Sequence, residues 1–300
     1  MSPTPPEKHD NLDNSDRRGG LPVLRNPILI AAFSGWNDAA DSATGAVEHL
    51  ALAWDATPVR EVDPDDFYDY QSTRPTIRQK DGVTRRIEWP STVISSCVVP
   101  GGDRDVVLVL GPEPNHRWRA YCRQIVELAD DLGVELAVVL GALLADAPHT
   151  RPVPVTGTAE STEATARLGL QPSRYEGPTG ITGVLADAFV QAGIPTVSLW
   201  AAVPHYVSHT SNPKATLALL TTVATVTGLS IDLGMLADHA AEWEATITDM
   251  ISEDDDMAEY VQELEESSDE DLSDALLRID GDEIAAEFEK YLRRRGDSEA

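Results

Sequence analysis

The sequence predicts an α/β fold: a largely parallel, mixed sheet covered by helices on both faces, continued by an acidic α-helical extension. Three observations predict it. Short apolar runs closed by glycine recur through the first 200 residues, each followed by a stretch of helical periodicity. One segment instead alternates with the two-residue period of an antiparallel hairpin. Beyond Gly228 the strand-like runs stop and acidic residues accumulate.

Met1 to Pro22 is polar and Pro-containing with no apolar stretch, so residues 1–25 read as a disordered leader and not as a signal peptide. The α/β region, residues 26–228, opens with Pro27-Ile28-Leu29-Ile30-Ala31-Ala32-Phe33, a buried strand closed by Ser34-Gly35. A helix from about Ala39 to Trp54 follows. The segment Val59–Val99, with Val83 to Trp89 alternating and then Thr92 to Val98, reads as an antiparallel hairpin inserted into the sheet or lying at its edge. Asp105 to Leu110 is the next strand, ended by Gly111-Pro112, with a helix from about Asn115 to Leu132. Val134 to Leu140 is another, closed by Gly141. Asp146 to Thr158 is irregular, Ser161–Leu168 reads as helix, and a further helix opens at Gly180. The strand Ile194 to Trp200 and a helix from Pro213 to Thr227 complete the unit.

Residues 229–300 form the extension. Leu233, Leu236, Ala240, Trp243, Ile247 and Met250 recur at three- and four-residue steps, as do Met257, Tyr260, Val261 and Leu264, and then Ile284, Phe288, Tyr291 and Leu292. Each set is one apolar stripe on an otherwise acidic helix. Ser252 to Asp256 and Ser267 to Asp271 read as hinges between the helices.

Composition narrows the function. The chain has 51 acidic and 23 basic residues, a net charge of −28, and residues 238–300 alone carry 23 acids against 5 bases, a net of −18. Such a balance opposes nucleic acid, whose binding needs clustered Lys and Arg, and it opposes anionic lipid equally. Cys97 and Cys122 are too few for a disulfide framework or a structural zinc site and read as buried reduced thiols. No apolar run reaches membrane-spanning length. A cytoplasmic protein is expected.

In open α/β sheets ligands bind at the carboxyl ends of the strands, so the loops there hold the candidate residues. They are Trp36, Asn37 and Asp38 after the first strand, Glu113 and His116 after Gly111-Pro112, Asp146 and His149 after Gly141, and His205 and Tyr206 after the late strand. Each has a structural reading beside the functional one: Asn37 and Asp38 can cap a helix, Glu113 suits a helix N-terminus, and the rings can pack. Gly177, Thr179 and Gly180 open a helix with backbone amides available to an anion, or serve a tight turn and close packing. The segment matches neither G-x-G-x-x-G nor a Walker A loop. His205 and His209 are four apart, but Pro204 and Pro213 flank them and no Glu follows His205, so no metal site is expected. No cofactor motif is present, and Ser34 lacks a nucleophile elbow because Ala32 replaces its first glycine.

Several of these segments occur together in a recognisable order. Phe33-Ser34-Gly35-Trp36-Asn37-Asp38-Ala39-Ala40, Gly111-Pro112-Glu113-Pro114, Gly141-Ala142-Leu143-Leu144-Ala145-Asp146, Glu176-Gly177-Pro178-Thr179-Gly180-Ile181, and Val203-Pro204-His205-Tyr206-Val207 with Asn212-Pro213-Lys214-Ala215 resemble the PAC2 family. More narrowly they are similar to its long actinobacterial branch, over about Pro27 to Ile251. The resemblance implies a three-layer, phosphorylase/hydrolase-like α/β core and homo-oligomers, a trimer being a reasonable expectation. It also implies kinship with chaperones that cradle proteasome subunits.

Two functions are therefore expected as alternatives. One is a non-catalytic chaperone-like or adaptor protein whose partners are its own copies and proteasome-related proteins. The other is a small-molecule hydrolase or phosphorylase-like enzyme working at the strand-end rim, with a histidine as general base. The first is favoured because the second names no reaction.

Overall fold

The computed structural model describes residues 17–18, 20–80, 84–159, 165, 170, 172–173 and 175–275. The expected helix at Ser161–Leu168, the stripe Ile284 to Leu292 and most of the leader lie outside the described residues, Thr165 apart. A two-residue ladder, β1 (Arg17–Arg18) with β2 (Leu21–Pro22), precedes the main sheet.

The main sheet contains β3 (Ile28–Ser34), β4 (Thr57–Val62), β7 (Thr92–Cys97), β8 (Val106–Pro112), β9 (Leu136–Ala145), β10 (Val155–Ala159) and β11 (Thr196–Pro204). Their order is β10-β11-β9-β3-β8-β7-β4. The four central strands are parallel, and the outer strands β10, β7 and β4 join antiparallel, so the sheet is mixed as expected. β5 (Thr76–Lys80) and β6 (Thr84–Glu88) pair only with each other, as a hairpin outside the main sheet. The segment 59–99 thus divides: β7 enters the sheet, while the strand read from Val83 to Trp89 belongs to the separate hairpin.

Helices α1 (Ser42–Ala53) and α4 (Pro213–Thr227) cover one face, and α2 (Trp118–Asp131) and α3 (Ile181–Gln191) the other. β3 shows why its sequence is apolar throughout. Ile28, Ile30 and Ala32 belong to the core under α1 and α4, while Leu29, Ala31 and Phe33 belong to the core under α2 and α3. Successive side chains point to opposite faces, and both faces are covered. Asn212 caps α4 by accepting from the Ala215 N–H (3.0 Å), with Pro213 in the first turn.

Three sequence readings need correction. Gly141 does not close its strand; β9 runs on to Ala145, paired with β11 throughout. Its hydrogen marks a close approach, because a Cβ there would lie 2.6 Å from the Trp200 ring. The stretch Asp146 to Thr158 contains the start of an edge strand, β10, whose central Gly157 and nearby Pro152 and Pro154 disguise it. Ser267 to Asp271 is no hinge, since it lies within one continuous helix, α6 (Asp255–Ala275).

Helix α5 (Leu236–Ser252) packs on α4, and α6 packs on α5. Ala240, Ile247, Ile251 and Val261 are buried, and Val207, Tyr206, Trp243 and Met257 share the cluster of Ile247, Ile251 and Val261. Met250, expected in the buried stripe, is 52% exposed; Ile251 takes the inward position. Among the described residues no helix is long and apolar enough to cross a membrane.

Candidate functional site

The strand-end residues separate into two clusters. The first is built around the turn after β3, where the Asp38 N–H donates to the Gly35 carbonyl (3.1 Å) and the Ala142 N–H to the Asn37 carbonyl (2.8 Å), tying the turn to β9. Asn37 is fully buried. Its Nδ2 donates to Glu113 Oε1 (2.9 Å), and its Oδ1 accepts from the Thr182 hydroxyl (2.9 Å). The same Glu113 oxygen accepts from the Ile181 N–H (2.8 Å) at the start of α3. Glu113 therefore serves as a carboxylate at a helix N-terminus, and a buried amide orients it. The turn that carries Glu113 is pinned in turn: the Tyr68 hydroxyl donates to the Pro112 carbonyl (2.8 Å), and Thr92 joins Tyr68 to Tyr121 by hydroxyl contacts of 2.9 and 2.5 Å.

Gly180 completes this cluster. It precedes α3 with φ of −96°, a conformation open to any residue, so its requirement is spatial. A Cβ there would stand 2.2 Å from Asn37 Oδ1. Gly177 and Thr179 lie on the outer side of the turn and line an open cleft of about 380 Å³ with Tyr175, Asp187, Ser198 and Trp200.

Asp38 turns away from Asn37 and Glu113 toward α1. Its carboxylate accepts from the Ala43 N–H (2.6 Å), the Thr44 N–H (3.3 Å) and the Thr44 hydroxyl. The chain reaches α1 through a short 3₁₀ turn in which Ala40 and Asp41 hold φ of 52° and 51°. Asp38 does the capping that Asp41 does not. Burial pushes its carboxyl up to about 6, against the lowering effect of the Thr44 hydroxyl and the two amides.

The second cluster lies where β9 and β11 end, against α5 and α6. The backbone N–H of His149 donates to the Tyr206 hydroxyl (2.8 Å), and its ring Nδ1 lies 2.9 Å from the same oxygen. Its Nε2 lies 3.0 Å from Thr248 Oγ1. The Thr248 hydroxyl proton goes to the Glu244 carbonyl (2.8 Å), so Nε2–H is the donor and Nδ1 the acceptor, a neutral imidazole. Lys214 Nζ donates to the His149 carbonyl (2.5 Å) and pairs with Glu244. His205 Nδ1 stands 3.2 Å from Asp146 Oδ1 without the alignment of a hydrogen bond, and the Tyr260 hydroxyl donates to the same oxygen (3.2 Å). Arg151 binds Asp269 through two 2.8 Å bonds. His149, Tyr206, His205 and Tyr260 meet edge to face.

Burial lowers the His149 imidazole below its ordinary value, and the Lys214 ammonium acts in the same direction; Glu244 and Glu265 oppose them. A histidine held neutral in the fold takes its proton first in the unfolded chain. Its contribution is therefore complete above about pH 6.5 and is lost as pH falls through the lowered folded value. Asp38 has the opposite slope, favouring the fold as pH falls from about 6 toward its ordinary 3.8. Acidification from pH 7.5 to 5.5 is accordingly expected to lower the amide protection factors, taken relative to the intrinsic exchange rate at each pH, in residues 236–275 while α1 keeps its own. His149→Gln should remove that pH response; an equal loss of protection in α1 and α5 would contradict it.

Trp36 is half-buried and His116 exposed, and among the described residues the His116 side chain joins neither cluster by a hydrogen bond. Among the described residues no group of three or more His, Cys, Asp or Glu side chains could hold a metal ion. Thr44, Thr182, Lys214, Glu244 and Thr248 were not singled out in the sequence. Lys214 stands inside the Asn212–Ala215 segment and Thr182 directly follows Glu176–Ile181, neighbourhoods that could have drawn attention to them.

The PAC2 family model matches residues 32–251. Among solved structures, a proteasome-assembly chaperone homologue of Mycobacterium tuberculosis is 56% identical with a TM-score of 0.72, the match covering 78% of this chain and 99% of that one. A PAC2 family protein from Streptomyces avermitilis is 47% identical with a TM-score of 0.72 over the same shares. Pyrococcus furiosus PbaB, an archaeal proteasome activator, is 17% identical with a TM-score of 0.60, over 78% of this chain and 96% of that one, and shares the fold. No curated protein matches this chain.

Proposed function

Since the chain belongs to the PAC2 family, we propose that it is a non-catalytic, chaperone-like adaptor, cytoplasmic and homo-oligomeric, that engages proteasome subunits. One observation carries the reading: three of the ionisable groups at the strand ends, Glu113, Asp38 and His149, hold elements together. Glu113 joins Asn37 to α3, Asp38 joins the β3 turn to α1, and His149 joins the end of β9 to α5. A general base needs a lone pair free for substrate within hydrogen-bond reach. At Glu113 Oε1, Asp38 and His149 Nδ1 those lone pairs meet backbone amides and side-chain donors. Groups spent in this way give a rigid body, which suits recognition of another protein by surface shape and charge. The partner class is supported by the 56% identical relative described as a proteasome-assembly chaperone homologue.

The test mixes the purified full chain with purified proteasome α and β subunits of the same organism and weighs the species by native mass spectrometry. A complex of defined stoichiometry containing at least one of the two subunit types is expected. Absence of any complex, with turnover of phosphate, ester or glycosyl substrates that His149→Gln abolishes, would replace this reading with the enzymatic one. Structural use of Glu113 has its own measurement. Glu113→Ala is expected to cost about 2–3 kcal/mol in urea unfolding by leaving the Asn37 amide and the Ile181 N–H unpaired. Glu113→Gln, which keeps an acceptor, should cost about half as much.

A further inference from the structure

We propose that the β5–β6 hairpin is a docking arm that seats on the acidic C-terminal helices of a second copy of this chain; the proposal rests on the homo-oligomeric reading above. The hairpin lies outside the main sheet, and the described side chains of both its strands are exposed. A two-stranded hairpin with neither face covered is marginal in water. This one also places Ile77 directly opposite Ile87, 62% and 52% exposed, with Trp89 half-exposed at its base against Tyr70. Its charge is unlike that of the rest of the molecule. The strands carry Arg78, Lys80, Arg85 and Arg86 against Glu88 alone in a protein of net charge −28. Arg78 and Arg86 face each other across the ladder, a destabilising pairing, and Glu88 relieves Arg78 only, at 2.6 Å. Among the described residues no carboxylate pairs with Arg85 or Arg86.

The chain supplies the complementary surface itself. Helix α6 has ten acidic and no basic residues, and Asp255, Asp256, Glu259, Glu263 and Glu266 are exposed on it. Met250, 52% exposed near the α5–α6 turn, offers an apolar counterpart to the isoleucines. Two hairpins pairing with each other would set arginine against arginine, so the acidic helices are the favoured seat. Among the described residues no ion pair joins the hairpin to α5 or α6 within one chain. The hairpin is inserted between β4 and β7, at one edge of the seven-stranded sheet, while α5 and α6 pack by α4 and the ends of β9 and β11 toward the other. Four to five strand spacings, roughly 19–24 Å, lie between β4 and the strands β9 and β11. A basic site at one edge and an acidic site at the other make a heterologous contact, and such contacts close into rings when the rotation permits.

The test is charge reversal on the full chain, read as subunit mass and association constant by sedimentation. Arg85→Glu with Arg86→Glu, and separately Glu259→Arg with Glu263→Arg, are each expected to weaken association at least about tenfold with an unchanged circular dichroism spectrum. A chain carrying all four substitutions is expected to recover to within about threefold of the natural one. A natural chain that stays monomeric at its highest soluble concentration would overturn both the docking arm and the homo-oligomeric reading. An oligomer indifferent to both reversals, or a four-substitution chain no better than its parents, would overturn the docking arm alone.

Discussion

Gly180→Ala is expected to lower stability by about 3 kcal/mol or more, among the largest effects of any single methyl group in this protein. The added Cβ would stand 2.2 Å from Asn37 Oδ1 and 2.7 Å from Nδ2. Asn37 has nowhere to go. Its carbonyl holds the Ala142 N–H, its amide donates to Glu113, and its oxygen accepts from Thr182. Displacing it strands several buried polar groups at once, each costing about 1–3 kcal/mol when unpaired. The backbone itself gives no objection, so the loss reports contact and not torsion. Gly183→Ala is the matched control, one turn later in the same segment. There the new Cβ meets the Thr179 hydroxyl, the end of a side chain that can rotate away, and alanine improves helix propensity by up to about 1 kcal/mol. Urea midpoints should separate the two variants clearly. Equal losses, or a Gly180→Ala protein as stable as the natural one, would remove the Asn37 cluster from its assigned role.

Lys214→Met is expected to release the C-terminal helices while leaving the sheet intact. Lys214 stands in the first turn of α4, 15% exposed, with one bond to the His149 carbonyl and one to Glu244 on α5. Methionine keeps the stem's packing and removes the charge. The carbonyl loses its donor and Glu244 its partner, and because Glu244 is 37% exposed and screened by solvent the cost is discounted to about 1–2 kcal/mol. That is a large share of the stability of two helices whose apolar contact with the body rests on a few residues, Leu236, Ala240, Ile247, Ile251 and Val261 among them. Limited proteolysis should cut within residues 229–275 about tenfold faster than in the natural chain, with the unfolding midpoint of the sheet unmoved. Unchanged protease resistance would show that the apolar cluster alone holds the helices.

The layered body could be read from sequence because its strands are buried on both faces. Runs such as Ile28 to Phe33 are apolar at every position, and such runs have few other uses in a chain of this size. Tertiary pairing hid the rest. Gly141 looked like a terminator and is a site of close packing under Trp200. β10 was obscured by its glycine and neighbouring prolines, and it exists because β11 offers an edge to pair with. Ser267 to Asp271 looked like a break because serine and aspartate are poor helix formers, yet ion pairs from Arg151 hold that part of α6 against the body. The candidate rim was legible as a set of residue types at strand ends, but its division was not. β9 and β11 run past the neighbouring strands to Ala145 and Pro204. That carries Asp146, His149, His205 and Tyr206 away from Asn37 and Glu113, toward helices more than thirty residues later in the chain. Strand length decides that separation, and local sequence sets strand length weakly.

The place of β3 has a consequence for how the chain is made. β3 is synthesised before both of its neighbours and lies at the centre of the sheet, and those neighbours are strands beginning at Val106 and Leu136. At roughly 5–20 residues per second, an all-apolar strand waits about 5–20 s before its second partner has been synthesised. Closing such long loops also makes folding slow. During that interval Ile28 to Phe33 is an unpaired hydrophobic segment on a nascent chain. A protein proposed to assist the assembly of others is thus, through its own topology, exposed during synthesis to the kind of unproductive association that chaperones exist to prevent.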